Sequence, residues 1–538
     1  MNVKKCILKY FKNHKLILLL TLLTIILSTL IVLVPPQILR IIVDYYIPNK
    51  LIDKLLLISL MYTLMYIMVY IISYLEKVLL ILISNGLSKE LRNEMMLKIQ
   101  RMSFKVLSRI DNSRLEANIT NDVDEINSLI VEGVISLTID LIKIIGILVS
   151  IYVYSLYFGI IVTLVLPIII LFTLFIKKRM FKSQKDNKSS EASVNKLVKE
   201  NLDNIKTIKS FRIYNKIISK YNDVLNTYYK TSTKSSNYDS FYSPVINILK
   251  YSMIVLLIIL SSQFNNIFAL SCGVVVSMID LISSLFSPIE TLGMSIQTIQ
   301  KSLASISRIN DFFLLEEDNK EELISDIDLS NIEIKYDHVY YSYDDNNMVI
   351  NDFNYVLNNN DKLTLIGRSG CGKSTLFRLT YGLIKPLKGR VLINNIDAYY
   401  LSNDIKSKVF SIVYQDAFFT GGSIKDELTL LDNSIKDENI YEVLNKVGLS
   451  RIDNINIKFV ESDYSSGELQ LFNIVRAILT NSKIILLDEF NSKIDLINAN
   501  NIIDIINNVS KDKIVLSITH YGKNLDNSKI LNLETMKS

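Results

Sequence analysis

The sequence predicts a multi-domain protein in which an all-α domain of six membrane helices precedes an α/β domain. Two features of the 538-residue chain predict this fold class: uncharged apolar runs recur through its first half, and short apolar strands alternate with helical patterns after residue 331. Hydrophobic residues make up 49% and the mean hydropathy is +0.28, too apolar for a typical soluble protein. We expect a membrane domain over 1–310, an acidic linker over 311–330 and the α/β domain over 331–538.

The apolar runs account for six spans, because crossing a bilayer takes about 20 residues. They cover residues 16–34, 55–75, 144–176, 241–262 and 267–290. The run at 144–176 is too long for one span and predicts two helices joined near 152–159. A single run of this kind could be a buried core helix, but six in succession favour membrane spans. The first run lacks a small-residue cleavage site, so we do not interpret it as a signal peptide.

Lysine and arginine placement predicts the orientation of these spans. Basic residues precede the first span, follow the second and crowd the segment 177–234, whereas the segments 152–159 and 263–268 carry no charge. This alternation predicts an integral, multi-pass protein, expected in the bacterial inner membrane, whose termini and α/β domain lie in the cytosol. The net charge of +5 indicates no nucleic-acid partner, and the three scattered cysteines indicate neither a disulfide framework nor a metal cluster.

Asp140 and Lys143 lie in the third span, just before its apolar run, and Asp280 lies in the sixth span. Charges at membrane depth are costly and seldom face lipid, so we expect all three to face the protein interior or an aqueous cavity. Asp140 and Lys143 are spaced i, i+3 and could simply pair with each other. Contact with a substrate is an equal alternative.

The stretch LTLIGRSGCGKSTLFRLT, residues 363–380 of the α/β domain, contains a glycine-rich loop between an apolar strand pattern and a helical pattern. The spacing fits G-x-x-x-x-G-K-[ST], a loop whose glycines let backbone N–H groups turn toward phosphates, while Lys373 reaches the outer phosphates and Ser374 is placed to bind magnesium. An ordinary turn is the alternative, but the strand before and the helix after favour a phosphate loop. Its residues are Gly367, Arg368, Ser369, Gly370, Cys371, Gly372, Lys373, Ser374 and Thr375.

Polar residues end three further strands of the domain. Asp488 and Glu489 follow IILL, Gln415 follows a strand at 409–414, and His520 follows KIVLSIT. Parallel strands place their carboxyl ends at one edge of a sheet, where ligands bind. We expect Asp488 to hold magnesium through water, Glu489 to polarise the attacking water, Gln415 to reach magnesium and that water, and His520 to contact the γ-phosphate.

With these motifs the chain resembles a half-transporter of the ATP-binding cassette superfamily, of the exporter type. The loop resembles the Walker A motif, Asp488 and Glu489 the Walker B acid and catalytic glutamate, Gln415 the Q-loop and His520 the switch histidine. The resemblance implies a P-loop ATPase domain with ATP and Mg²⁺ as cofactors. It also implies that Tyr343 stacks on adenine and that Asp495 in NSKID belongs to the D-loop.

The family signature L-S-G-G-Q is represented by YSSGE at 464–468, in which Ser465 and Gly467 match and Ser466 and Glu468 do not. The resemblance implies that this segment binds the ATP of a second half-transporter, in a homodimer or a heterodimer. A left-handed backbone at Ser466 would cost about 1 kcal/mol or more. The segments 111–127 and 201–212 resemble regions that dock on the nucleotide domains, although long amphipathic helices would look similar.

The sequence therefore predicts a membrane ATPase that transports a substrate by alternating access in a dimer. We expect an exporter of a peptide, a lipid or an amphiphilic small molecule, surrounded by membrane lipid. An importer, a non-transporting regulator or an ATP-dependent channel on the same scaffold are the alternatives. Glu489 and His520 argue against a regulator, which would not need a hydrolytic set.

Overall fold

The computed structural model describes residues 2–263, 270–318, 323–343, 347–368, 370–432, 434–490, 496–519 and 525–534. The chain forms two compact units. The helical unit comprises Met1–Gln100 and Ile110–Leu315, and the α/β unit comprises Arg101–Arg109 and Glu316–Ser538. The division at 315/316 falls inside the predicted linker, and the short segment 101–109 belongs to the α/β unit although both its flanks are helical-unit chain.

The helical unit contains six helical segments that are long and apolar enough to cross a membrane, which confirms the predicted fold class for the described residues. They are Lys15–Tyr46, Ile52–Arg101, Asn112–Tyr154, Leu156–Asp203, Tyr214–Gln263 and Cys272–Leu314, called spans 1 to 6 below. A 50-residue helix such as span 2 is about 75 Å long, more than twice the ~30 Å of a bilayer core. Its charged C-terminal half must therefore extend beyond the membrane.

Spans 1 and 3 are interrupted by short irregular turns. Span 1 joins the helices Lys15–Ile31 and Val34–Ile41 to a π-turn at Ile42–Tyr46, and the second helix carries prolines in its first turn, where no intrahelical N–H is needed. Span 3 consists of Asn112–Ala117, Asn118–Asp122, Val123–Ser128, Leu129–Ile135 and Ser136–Tyr154. The unit also contains the helices Val3–Asn13 and Ile205–Phe211.

Ser155 separates spans 3 and 4 inside the predicted junction at 152–159. Its backbone is extended, and its hydroxyl accepts a hydrogen bond from the backbone N–H of Phe158, so that it caps span 4. The other predicted outer hairpin, 263–268, lies almost entirely outside the described residues. The segments 111–127 and 201–212 both belong to the helical unit, and their docking role stays a prediction.

The charged residues within the spans contact other helices. Asp140 is 7% exposed and accepts a hydrogen bond of 2.5 Å from the Thr291 hydroxyl of span 6. Asp280 accepts one of 3.3 Å from the Tyr66 hydroxyl of span 2. Both carboxylates thus face the protein interior, as predicted. Among the described ion pairs Asp140 is not joined to Lys143, because its carboxylate is directed at span 6.

The α/β unit is built on two sheets. Strands β6-β7-β8-β3-β9 form a parallel sheet in that order, and β2-β1-β4-β5 form an antiparallel sheet. The strands are β1 Ile334–Tyr341, β2 Ile350–Leu357, β3 Lys362–Ile366, β4 Lys388–Ile393, β5 Ile396–Asp397, β6 Phe410–Val413, β7 Ile484–Asp488, β8 Ile514–Ile518 and β9 Lys529–Asn532. All five residues of β8 are buried and four of them are apolar, as expected for a central strand of a parallel sheet.

A second buried cluster combines side chains of the parallel sheet with side chains from helices of the α/β unit. The helices of this unit are Phe104–Leu107, Lys373–Thr380, Asn403–Val409, Ile424–Thr429, Asp437–Lys446, Ser466–Leu479 and Leu496–Val509, with 3₁₀ turns at Ala398–Tyr400 and Glu461–Asp463. The second cluster joins the helices Ile424–Thr429, Asp437–Lys446 and Ser466–Leu479 through side chains such as Leu428 and Phe472. The carboxyl ends of β3, β6 and β7 therefore share one edge of the sheet with rigid helical support on one side.

Candidate nucleotide-binding site

The loop between β3 and the helix Lys373–Thr380 has the backbone that a phosphate loop needs. Gly370 and Gly372 lie in the left-handed region, at φ +84° and +109°. A Cβ on Gly372 would also approach the Ile350 side chain to 2.9 Å. Any other residue at Gly372 would therefore be strained by both its backbone and its neighbours.

Lys373 brings a positive charge into the centre of this loop. Its side chain is buried, and its ammonium group donates to the carbonyl oxygens of Gly367 at 2.6 Å and Arg368 at 3.0 Å. The following helix directs its N-terminal N–H groups toward the same space. The loop therefore combines a buried cation, glycines with positive φ angles and the start of a helix, and these features together bind phosphate.

Gln415 and Glu489 meet at the carboxyl edge of the sheet, as the order of the strands requires. The Gln415 amide donates a hydrogen bond of 2.7 Å to the Glu489 carboxylate. Glu489 itself has a left-handed backbone at φ +47°, and its N–H donates to the carbonyl of Ile518. The backbone thus leaves the β-strand conformation at Glu489, immediately after β7 ends at Asp488.

Two buried amides that sequence reasoning missed hold the chain next to Gln415. Gln470 and Asn473 each donate a hydrogen bond of 3.1 Å to the carbonyl oxygen of Tyr414. Both lie on the helix Ser466–Leu479 and are at most 4% exposed. Their signal in the sequence is polar residues at i, i+3 and i+6 within LQLFNIVRAIL, the third being Arg476.

Arg476 organises the loop that follows Gln415. Its guanidinium pairs with the Glu427 carboxylate at 2.7 Å and donates to the carbonyls of Glu427 and Phe418. The other Glu427 oxygen accepts from the Thr420 N–H and hydroxyl and from the Gly422 N–H. Burial lowers the pKa of Arg476 from its usual range, while the Glu427 charge opposes that shift.

Tyr343 lies beside the phosphate loop, as its predicted contact with the nucleotide requires. Its hydroxyl is 3.2 Å from the Thr375 hydroxyl and accepts a hydrogen bond of 2.7 Å from Arg378. Its ring also packs edge-on against Tyr341, with centroids 5.0 Å apart. Sequence reasoning identified Tyr343 but missed Arg378, which lies 35 residues away in sequence.

The signature segment caps a helix without backbone strain. Ser465 is the N-cap of the helix Ser466–Leu479 and forms a reciprocal capping box with Glu468. Ser466 is the first residue of the helix, and its backbone is not in the left-handed region. The free-energy cost of a left-handed serine therefore does not arise at Ser466. The helix begins before Gly467 and needs no glycine at position 466. The backbone N–H of Ser465 lowers the pKa of Glu468, which also pairs with Arg451 at 2.8 Å.

Three predicted site residues, Ser369, Asp495 and His520, lie outside the described residues. Within the described part of the chain, no group of three histidine, cysteine, aspartate or glutamate side chains could hold a metal alone. The predicted magnesium ligands fit a cation shared with phosphates, because Ser374, Gln415 and Asp488 offer hydroxyl, amide and carboxylate oxygens, the ligands that Mg²⁺ prefers.

Two known families match this chain over most of its length. Residues 18–289 match the family described as ABC transporter transmembrane region. Residues 350–492 match the family described as ABC transporter. The first match lies within the helical unit apart from the segment 101–109, and the second contains the phosphate loop, Gln415 and Glu489.

Similar proteins carry transporter names of more than one kind. The "Probable multidrug resistance ABC transporter ATP-binding/permease protein YheH" of Bacillus subtilis is 25% identical over 430 residues, or 78% of this chain and 63% of that protein. The lactococcin-A transport/processing ATP-binding protein LcnC of Lactococcus lactis is 25% identical over 510 residues, or 91% of this chain and 69% of that protein. The chain thus spans less than two thirds of the first of these relatives.

A solved structure of a bacterial Atm1-family ABC exporter with ATP bound has a similar fold. It aligns with a TM-score of 0.72 over 95% of this chain and 93% of that chain, at 17% sequence identity. At this identity the likeness concerns the fold alone. It supports six spans followed by an α/β domain in one polypeptide.

Proposed function

The chain belongs to the ABC transporter family, with a transmembrane region and an ATP-binding domain in one polypeptide, and from this premise we propose that it is an ATP-driven exporter acting as a dimer. The observation that carries the proposal is the hydrogen bond between Gln415 and Glu489 at the edge that also holds the phosphate loop. This contact supports hydrolysis, because it holds a carboxylate ready to accept a proton from water. A regulator that only senses ATP would not need it.

In this proposal, each residue of the site has its own role in ATP binding or hydrolysis. Lys373 and the loop N–H groups bind the β- and γ-phosphates, and Tyr343 stacks on the adenine. Ser374, Gln415 and, through water, Asp488 would hold Mg²⁺, which neutralises phosphate charge when bound. Glu489 orients the attacking water and accepts its proton, and His520, which lies outside the described residues, keeps its predicted contact with the γ-phosphate.

A second subunit completes each ATP site in this proposal. Ser465 is exposed although it caps a helix, so its hydroxyl and the helix start are accessible to another chain. We place this surface against the γ-phosphate of the partner's ATP. ATP then favours the closed dimer by binding it more tightly than the open one, and hydrolysis allows reopening.

The transported substrate contacts the interior of the spans. The Asp280 carboxylate, with Tyr66 beside it, is the group that we propose for this contact, because in the described structure its hydrogen-bond partner is a neutral hydroxyl. An amphiphile or peptide carrying a positive charge would neutralise it. The names of the relatives include both multidrug and lactococcin transport, and either class fits this chemistry.

The test measures transport directly. The full chain is reconstituted in vesicles with its ATP-binding domain outside, and ATP-dependent uptake is measured for labelled cationic dyes, a cationic peptide and a labelled lipid. Uptake that needs wild-type protein and fails with Glu489→Gln supports export. ATP-dependent efflux of a preloaded compound would indicate import, and an ion current without accumulation would indicate a channel.

A further inference from the structure

The segment 101–109 follows the end of span 2 and is anchored in the α/β unit by backbone contacts. Met102 forms a β-bridge with Glu317, and the Asp318 N–H donates a hydrogen bond of 2.8 Å to the Arg101 carbonyl. The Tyr399 hydroxyl donates in turn to the Asp318 carboxylate at 2.9 Å. Arg101 is also the last residue of the helix Ile52–Arg101, so the segment follows this helix directly in the chain.

This segment reaches Tyr343 by two routes. Arg109 donates a hydrogen bond from its guanidinium directly to the Tyr343 carbonyl oxygen. The Phe104 ring lies under the Arg378 guanidinium, whose carbon is 5.3 Å from the ring centroid, and Arg378 donates to the Tyr343 hydroxyl. The backbone and the far end of the same tyrosine are therefore both held by groups that depend on the position of 101–109.

The same tyrosine is tied to the phosphate loop. Its hydroxyl shares a hydrogen bond with Thr375, the residue after Ser374. Stacking of an aromatic ring on a base depends on offset and tilt, so a ring fixed at both ends relative to the phosphate loop is prepared for a nucleotide. A ring released at either end would have to be ordered when the nucleotide binds, which lowers affinity.

We propose that Arg109, Phe104 and Arg378 are positioning residues for the adenine platform Tyr343, so that the placement of segment 101–109 sets the affinity for ATP. The proposal rests on the proposed function, because it takes Tyr343 as the platform. In this proposal, a movement of span 2 that displaces the segment would change the binding of the nucleotide's base and not that of its phosphates. The Lys373 ammonium group is held by the Gly367 and Arg368 carbonyl oxygens, so we expect phosphate binding to be independent of these contacts.

The experiment separates the base from the phosphates. Dissociation constants are measured for MgATP and for magnesium tripolyphosphate, which has no base, with the purified full chain carrying Arg378→Met, Arg109→Gln or Phe104→Leu. We expect each variant to weaken ATP binding about threefold to tenfold, the effect of losing one hydrogen bond or cation–π contact, and to leave tripolyphosphate binding unchanged. Arg378→Lys should restore part of the ATP affinity.

Lys105→Gln is the matched control, because Lys105 lies on the same short helix and is exposed. It should change neither constant. Equal losses for ATP and tripolyphosphate in the three variants would mean a purely structural role and would overturn the proposal. Loss of affinity in Lys105→Gln as well would also contradict it, since the effect would then follow from charge or from any change in the segment.

A double-mutant cycle distinguishes this proposal from the assignment on which it rests. In a Tyr343→Leu background, Arg109→Gln and Arg378→Met should have no further effect on ATP affinity. If Tyr343→Leu itself leaves ATP affinity intact, the adenine assignment is wrong. If it weakens ATP binding but the arginine variants do not, or if their effects add to it, only the positioning role is wrong.

Discussion

At the scale of single residues, the phosphate loop, Gln415 and Glu489 were predictable because their spacing and strand ends are local features of the sequence. Their supporting partners were not. Arg378 contacts Tyr343 across 35 positions, and Arg476 contacts Glu427 across 49. Such pairs depend on how strands and helices come together, and no local pattern encodes them.

Glu489→Gln is expected to keep ATP binding and to lower turnover by at least about 100-fold, the lower range for loss of a general base. The amide keeps the size of the side chain and can still contact Gln415, but it cannot accept a proton from water. ATP binding and steady-state hydrolysis are measured on the same preparation. Lys373→Ala is the contrast, because it should weaken nucleotide binding itself; wild-type hydrolysis by Glu489→Gln would remove Glu489 from its assigned role.

Glu427→Ala is expected to destabilise the ATP-binding unit by about 3–5 kcal/mol, as when one partner of a buried ion pair is removed. The change leaves the Arg476 guanidinium uncompensated and removes the acceptor for the Thr420 and Gly422 N–H groups. Denaturant unfolding of the full chain, followed in the α/β unit, measures the loss. Glu442→Ala, which breaks an exposed i, i+4 pair with Lys446, is the control and should cost less than about 0.5 kcal/mol; similar losses in both would contradict the argument.

At the scale of elements, hydropathy located the six spans but not their lengths. Span 5 runs from Tyr214 to Gln263, whereas its apolar run covers only 241–262. The helical turns of span 5 outside this apolar run are polar on most faces, so they carry no hydropathy signal. They form because extending an existing helix costs less than starting a new one. The alternation of strands and helices in the α/β unit was easier to predict, because its buried parallel strands are mostly apolar.

Asp280→Asn is expected to change substrate-stimulated ATP hydrolysis while leaving basal hydrolysis intact. The amide can still accept the Tyr66 hydrogen bond, so packing between spans 2 and 6 is kept and only the charge is lost. The measurement is ATPase activity with and without the compound found to be transported. Tyr66→Phe is the companion variant, since it removes the hydrogen bond and keeps the carboxylate; if Asp280→Asn alters neither rate, Asp280 is outside the substrate pathway.

The orientation of the spans in the membrane is testable by thiol labelling in intact cells. Cys272 begins span 6 and is exposed, so an impermeant maleimide should label it from outside, whereas Cys6 and Cys371 are buried. In a Cys272→Ser background, a cysteine introduced at Asn265 should also react and one at Ser113 should not. Labelling at Ser113 but not at Asn265 would reverse the predicted topology.

At the scale of the whole molecule, the proposed mechanism requires the signature segment to act on the ATP of another chain. The γ-phosphate needs hydrogen-bond donors on the side away from Lys373, and the exposed start of the helix Ser466–Leu479 offers them. The capping box occupies the Ser465 hydroxyl both as an acceptor from the Glu468 N–H and as a donor to the Glu468 carboxylate, so we expect the N–H groups of Ser466 and Gly467 to bind the phosphate. A monomer is therefore expected to bind ATP and hardly hydrolyse it.

ATPase activity of the purified chain should accordingly rise more steeply than in proportion to protein concentration, until the dimer is saturated. Ser465→Arg should abolish this activity, because the added bulk and charge on the contact surface block closure. Ser462→Arg is the matched control, since Ser462 is also exposed, three residues earlier, and lies outside the helix start. Specific activity that is independent of concentration in a demonstrated monomer, and unaffected by Ser465→Arg, would rule out action in trans. An inactive homodimer that a second half-transporter activates would instead identify a heterodimer, in which the unstrained Ser466 helix start serves one of two unequal sites.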